Sequence, residues 1–307
     1  MKVHIIIDFT YLYYKYKYTI ENNKIRRFKI DLHKMDEDGN AYTEEFETSY
    51  VYYPLKEIEG FRKQFLKEGH NVKVSVCFDA PSMRKEVDHE YKSNRVNKLS
   101  DEDFDRINMI REMLTVAGYN TYFIPGYEAD DIIANILNQY EDDFDFNVVY
   151  TPDMDLMVHV NDKVGVMRFK VFKGYTAVNK KNYSSYCSNE YKCTIPYNGL
   201  LMYKILCGDK SDVIAGIKGF GPAAFDKFVD YLGDSIDWEQ AGNIEYVQNI
   251  LEENKGYFKS DALPQIQKSL DMVKYIPIEG VIDISKGEST EESRTEAYMP
   301  LMMGSLV

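Results

Sequence analysis

The chain has 307 residues, 44% of them hydrophobic and 28% charged, enough apolar material for one large α/β unit with a smaller helical one attached. No apolar run approaches the roughly 20 residues of a spanning helix, and the patch at residues 3–7 is too short for a signal peptide, so neither a membrane protein nor an exported one is expected. A net charge of −13 argues at first against a polyanionic partner.

In chain order, residues 2–8 predict an apolar strand ending at Asp8. The tyrosines that follow, Tyr11, Tyr13, Tyr14, Tyr16 and Tyr18, fit amphipathic packing better than base stacking. Residues 25–53 break the pattern, and two strand-like runs flanking Asp38, Gly39 and Asn40 predict an inserted or edge β-ribbon. Helical periodicity covers roughly 56–68; alternation at 72–78 predicts a strand stopping before Asp79. A helix over 102–117 ends at Gly118, a strand follows at 119–124, a helix at 129–140, and a strand at 148–150 runs into Thr151, Pro152 and Asp153. Alternating strands and helices imply a largely parallel sheet with both faces covered, whose ligands bind beyond the carboxyl ends of the strands. Asp8, Asp79 and Asp153 therefore share one rim. From about 197 the pattern turns helical with Gly-rich turns, residues 286–296 read as loose and polar, and the apolar stretch at 299–303 docks on the body or on a partner. Cys77, Cys187, Cys193 and Cys207 lack the spacing of a zinc site or a disulfide framework, which fits four small buried hydrophobes in a reducing cytoplasm.

The most informative feature is the acids. Glu128, Asp130 and Asp131 form one cluster, Asp153 and Asp155 a second, Asp209 and Asp212 a third, and Asp8 and Asp79 stand in the same setting after strands. Glu128 and Asp131 share a helix face, while Asp153 and Asp155 share a face if the chain stays extended there. Two carboxylates at about 4 Å repel by roughly 4 kcal/mol at an effective dielectric of about 20, so this crowding calls for cations. Hard oxygen donors select Mg²⁺, with Mn²⁺ as a substitute, and two such ions can support phosphodiester hydrolysis. The acids also supply most of the negative charge that seemed to exclude nucleic acid.

These acids, together with Tyr91, Lys92, Ser93, Asn94 and Arg95 and the run from Gly208 to Pro222, occur in the order seen in the flap endonuclease / 5′-3′ exonuclease family, and the chain resembles its phage-encoded members over about residues 2–230. The resemblance implies a PIN-like α/β nuclease unit at 1–195 with a helical arch at about 82–106 and a helix-hairpin-helix-like DNA-binding region at 196–285, while polar composition makes 286–307 a flexible tail. It implies that Asp8, Asp79, Glu128, Asp130, Asp131, Asp153, Asp155, Asp209 and Asp212 hold two metal ions. Lys92 and Arg95 would contact the scissile phosphate beside Tyr91, whereas Arg84, Lys85 and Lys98 read equally well as solvated surface residues. Gly216, Lys218, Gly219 and Gly221 would form the duplex-binding hairpin. Val213, Ala215, Ala223 and Ala224 depart from the family pattern, in which Asn, Pro and a Lys are frequent at those places.

The implied activity is 5′-3′ exonuclease and flap endonuclease cleavage of DNA with 5′ ends, flaps or nicks, and RNase H action on RNA–DNA hybrids, for primer removal in the host cytoplasm. Single-strand binding protein or a clamp are the expected partners. The intact acid set argues against a non-catalytic junction-binding protein of the same fold. Thr10 argues against a haloacid-dehalogenase-like phosphatase, which needs a second Asp there.

Overall fold

A computed structural model describes residues 1–36, 38–84, 99–170, 174–285 and 287–307. Its centre is β1 (Lys2–Asp8), flanked in parallel by β4 (Asn71–Phe78) and β6 (Phe146–Tyr150), with Ile5 in register with Val74 on one side and Val148 on the other. β5 (Asn120–Phe123) extends the sheet beyond β4, and β7 (Val164–Lys170) extends it beyond β6; β8 (Gly174–Val178) closes that edge antiparallel to β7. The chain therefore builds outward on one side of β1, then crosses back to the other. That reversal opens a crevice at the carboxyl ends of β1 and β6.

The period of two along β1 assigns its faces. Val3, Ile5 and Ile7 pack with α1 (Phe9–Glu21), α2 (Ser49–Lys67) and α3 (Asp101–Val116), while Ile6 packs on the opposite side with α4 (Ala129–Tyr140). His4 shares that second face; its buried Nε2 lies 2.8 Å from Ser75 Oγ. The α1 tyrosines divide as amphipathic packing requires: Tyr13 is buried and donates to Asp103 at 2.8 Å, whereas Tyr18 is exposed. Asp103 also lies in the capping box of Ser100 that starts α3, and it takes Lys17 at 2.7 Å. The ribbon expected within 25–53 is β2 (Lys29–Met35) paired antiparallel with β3 (Ala41–Glu47).

The remaining helices are α5 (Tyr183–Tyr191), α6 (Leu200–Cys207), α7 (Pro222–Leu232), α8 (Ile244–Glu253), α9 (Leu263–Val273) and α10 (Glu291–Tyr298). Helices α6 to α9 share one apolar core with α4 and the sheet, so the helical region is packed against the α/β unit along its length.

Two expectations about the carboxyl-terminal part need correction. Residues 274–284 are not helical but run as an extended strap over α4. The strap is held by side chains one turn apart: Asp131 accepts from Ile276 N, Asn135 bonds Ile276 O and Ile278 N, and Gln139 bonds Gly280 O and Ile282 N. Nor are residues 287–307 a flexible tail. Tyr298, Met303 and Leu306 are buried against the α2 side of the sheet, Tyr298 donates to Glu59 at 2.8 Å, and Lys63 donates to Val307 O at 2.6 Å. The polar composition of 286–296 conceals this, because its anchors are a Thr290 capping box and a few apolar residues beyond it. Cys77, Cys187 and Cys193 are buried and form no disulfide, as expected, whereas Cys207, expected to be buried with them, is only partly so. Among the described residues no helix is long and apolar enough to cross a membrane.

Candidate active site

Asp8 closes β1 beneath the crevice and is buried. The Thr151 hydroxyl donates to its Oδ2 at 2.9 Å, while its buried Oδ1 has no hydrogen-bond partner among the described residues. Burial, and then the charge of Asp79, push the Asp8 carboxyl well above the usual range; Asp153 and Asp130 add to this, and Thr151 opposes it. Four acids from four separate segments thus act on one another. Asp79, just beyond β4, is exposed and accepts the Ala129 N–H at 2.7 Å, which aims the amino end of α4 at the rim.

Glu128 caps α4, and oxygens of Glu128, Asp130 and Asp131 lie within 4.8 Å of one another. Glu128 and Asp131 share a face, as their spacing predicts, and what lies on that face is Arg84. Its guanidinium meets Asp131 through two bonds, 2.7 and 2.8 Å, and Glu128 Oε2 at 3.1 Å. Arg84 is only 8% exposed, so the solvated role open to it from sequence does not hold.

Asp153 and Asp155 do not share a face. The chain leaves β6 and turns at once into a 3₁₀ turn, Asp155–His159, with Asp155 N–H donating to Asp153 Oδ1 at 3.0 Å. Asp153 looks toward Tyr11, whose hydroxyl is 3.3 Å from its Oδ2. Asp155 looks toward Lys204, whose ammonium bridges it to Asp209, 2.7 Å from Asp209 Oδ2. Lys204 is 3% exposed on the otherwise apolar α6. Burial and the neighbouring Asp153 push the Asp155 carboxyl up to about 7 against the pull of Lys204. For Asp209 burial is outweighed by Lys204 and Ser211, and its carboxyl is held down at about 2.

The loop carrying Asp209 and Asp212 is closed by reciprocal backbone bonds of 2.8 Å between Asp209 and Ile214. Its closure requires glycine: a Cβ on Gly216 would fall 2.3 Å from Gly208 N, and one on Gly208 2.4 Å from Ile214 O. Gly216 is therefore accounted for by packing within the protein. Val213 sits in this loop at φ +64° and is 39% exposed. Asp212 lines one narrow cleft with Arg84, Asp130, Asp155, Lys204 and Tyr275. Beyond the loop, Gly219 adopts φ +79°, Lys218 and Gly219 are exposed, and Gly221 precedes Pro222 at the start of α7. Tyr91, Lys92 and Arg95 lie outside the described residues.

All nine acids singled out from sequence thus lie at or beside the carboxyl rim, in two connected groups around Asp8 and Lys204. The sequence reading left Arg84 open and missed Lys204 and Tyr275, whose hydroxyl donates to Asp155 O at 3.0 Å. Lys204 left one trace, a lone lysine in an apolar helix five residues before Asp209. The orphaned Asp8 oxygen and a donor set made of carboxylates suit hard divalent cations.

Fold and site define a PIN-like α/β protein with an acid-lined rim. The chain belongs to the 5′-3′ exonuclease family, whose N-terminal, resolvase-like domain profile matches residues 5–189. Among its relatives, the 5′-3′ exonuclease of Mycoplasma genitalium is 31% identical over 219 residues, covering 69% of this chain and 72% of that protein. The thermostable DNA polymerase I of Thermus thermophilus is 27% identical over 267 residues, covering 83% of this chain, which spans only 29% of the polymerase. A flap endonuclease of bacteriophage T5, solved as a pseudo-enzyme-product complex with DNA and metal ions, shares the fold with a TM-score of 0.58 at 17% identity, covering 99% of this chain and 95% of that one.

Proposed function

We propose that the protein is a divalent-metal-dependent 5′ nuclease, a 5′-3′ exonuclease and flap endonuclease that hydrolyses phosphodiesters in DNA with 5′ ends, flaps or nicks and in RNA–DNA hybrids. The observation that carries this is the convergence of Asp8, Asp79, Asp130 and Asp153 on the carboxyl rim, with an Asp8 oxygen buried and unpartnered among the described residues. Family membership supports the reaction class. The DNA and metal ions bound by the T5 enzyme support the substrate and the cofactor.

Two Mg²⁺ ions, with Mn²⁺ as substitute, would be held by Asp8, Asp79, Glu128, Asp130 and Asp153 on one side and Asp155, Asp209 and Asp212 on the other, some directly and some through water. Bound there, such ions supply Lewis-acid stabilisation of a phosphoryl oxygen and a more acidic water. The protein's own groups position and neutralise. Lys92 and Arg95, beside Tyr91, would meet the scissile phosphate and stabilise its developing charge. Lys218, Gly219 and Gly221, ahead of α7, would hold the duplex backbone some way from the cut. Residues 1–195 would then act as the nuclease unit and 196–285 as the duplex-gripping region. The setting is primer removal in replication and repair in a host cytoplasm, alongside single-strand binding protein or a clamp.

The test is cleavage of a 5′-flap DNA and an RNA–DNA hybrid in Mg²⁺ by wild type, Asp130→Asn and Lys92→Ala. Metal-dependent cleavage from the 5′ end is expected, abolished in Asp130→Asn and slowed in Lys92→Ala with little loss of substrate affinity. Cleavage that persists in chelator or survives Asp130→Asn would overturn the proposal.

A further inference from the structure

Asp131 is fully buried, and its hydrogen bonds fill it. Oδ1 accepts Arg84 Nη2 at 2.7 Å and Ile276 N at 2.8 Å; Oδ2 accepts Arg84 Nη1 at 2.8 Å and Glu128 N at 3.2 Å. An ionised carboxylate offers about four lone-pair positions, and every one here already faces an N–H. Closeness to Glu128 and Asp130 therefore does not make Asp131 available to a cation. An ion at Asp131 would have to evict a guanidinium bound through two parallel bonds as well as the backbone amides of Glu128 and Ile276.

We infer that Arg84 and Asp131 are a positioning pair that sets the geometry of the metal acids without ligating metal. Three consecutive residues of the strap show what the pair holds together. Lys274 O accepts from Arg84 at 2.8 Å, the Tyr275 hydroxyl donates to Asp155 O at 3.0 Å, and Ile276 N donates to Asp131. The strap thus spans both groups of acids, and Arg84 clamps it to α4. The same turn orients Asp130, whose Oδ1 accepts the Asp131 N–H at 2.7 Å.

The inference rests on the proposed nuclease reading for its catalytic consequence, but its principal readouts do not require cleavage. Mn²⁺ affinity, measured by electron paramagnetic resonance on the full chain, should fall by a similar factor, about tenfold, in Asp131→Asn and Arg84→Lys, and no further in the double variant, because both act through one pair; Asp130→Asn, which deletes a ligand, should lower it independently of Arg84. Amide exchange at residues 274–278 should accelerate in Arg84→Ala and Asp131→Asn but not in Asp130→Asn. Arg84→Lys keeps the charge and loses the fork, so it should also accelerate exchange, and it serves if Arg84→Ala does not fold. Asp131→Asn losing Mn²⁺ affinity that Arg84→Lys keeps would overturn the inference, as would strap exchange unchanged in Arg84→Lys. Absence of cleavage by wild type would count against the nuclease reading alone, because the affinity and exchange results decide the pair independently.

Discussion

Replacing Lys204 with Met keeps the stem that packs within α6 and deletes the ammonium between Asp155 and Asp209. At 2.7 Å the contact with Asp209 corresponds to a gross attraction of about 6 kcal/mol at an effective dielectric of about 20, offset by several kcal/mol for burying the charges. Removing one member of such a buried set typically costs about 3–5 kcal/mol, because the partners stay behind uncompensated. Both carboxylates retain some exposure, 24% for Asp155 and 12% for Asp209, which places the expected loss at the low end, about 3 kcal/mol. In chelator, Lys204→Met should therefore melt about 5 °C below wild type, at roughly 1.6 °C per kcal/mol for a chain of this length. Divalent cations should restore part of that, since they supply the positive charge Asp155 and Asp209 then lack, so the rise in Tm on adding Mg²⁺ should be larger for the variant. The assay is thermal denaturation followed by circular dichroism with chelator and across a Mg²⁺ series. An unchanged melting temperature in chelator, or an equal Mg²⁺ increment for both proteins, would refute the reasoning.

The metal-free protein should lose stability as pH rises from about 6.5 to 8, above the range in which His4 and His159, held neutral by burial, make stability rise with pH. Burial raises the Asp155 carboxyl to about 7, above its unfolded value near 3.8, so the stability it lends is full below that value and lost as pH rises through 7; the raised Asp8 carboxyl works in the same direction. Melting temperatures in chelator at several pH values check this, and saturating Mn²⁺ should flatten the trend. Val213→Asn should stabilise the Asp209–Asp212 loop by about 1 kcal/mol, because a β-branched residue at positive φ is strained and Asn tolerates that region; a urea titration reads it. Asn135→Ala removes two bonds to the strap and leaves Ile278 N–H and Ile276 O without their partner, a cost of about 1–3 kcal/mol. Limited proteolysis should then cut within 274–284 sooner than in wild type.

The strands and the acids were legible for a simple reason. A buried parallel strand is a short apolar run, and an Asp at its end, as at Asp8 after Ile7 or Asp79 after Phe78, marks the rim without knowledge of any other part of the chain. Glu128 and Asp131 were legible as a face because helical spacing is local. The groups that complete the site were not, since each is defined by a distant partner. Arg84 looked like one charge in a mixed run until Asp131, 47 residues later, enclosed it. Lys204 acquires its role from Asp155, 49 residues earlier. The strap carries a short period of two, Ile276, Ile278, Ile282 and Ile284 on alternate positions, but its anchoring was not legible, because side chains of α4 read its backbone and backbone groups leave no trace in sequence. Asp153 and Asp155 misled for the opposite reason: alternate spacing fits an extended chain, but the Asp153 carboxylate captures the Asp155 amide and starts a turn.

The central claim is that the rim acids hold the ions that cut nucleic acid, and anomalous diffraction from crystals soaked in Mn²⁺ tests it most directly. Two peaks about 4 Å apart are expected, one among Asp8, Asp79, Asp130 and Asp153 and one toward Asp155, Asp209 and Asp212, with none on Asp131. No peak at the rim, or a single ion bound elsewhere on the surface, would contradict the account.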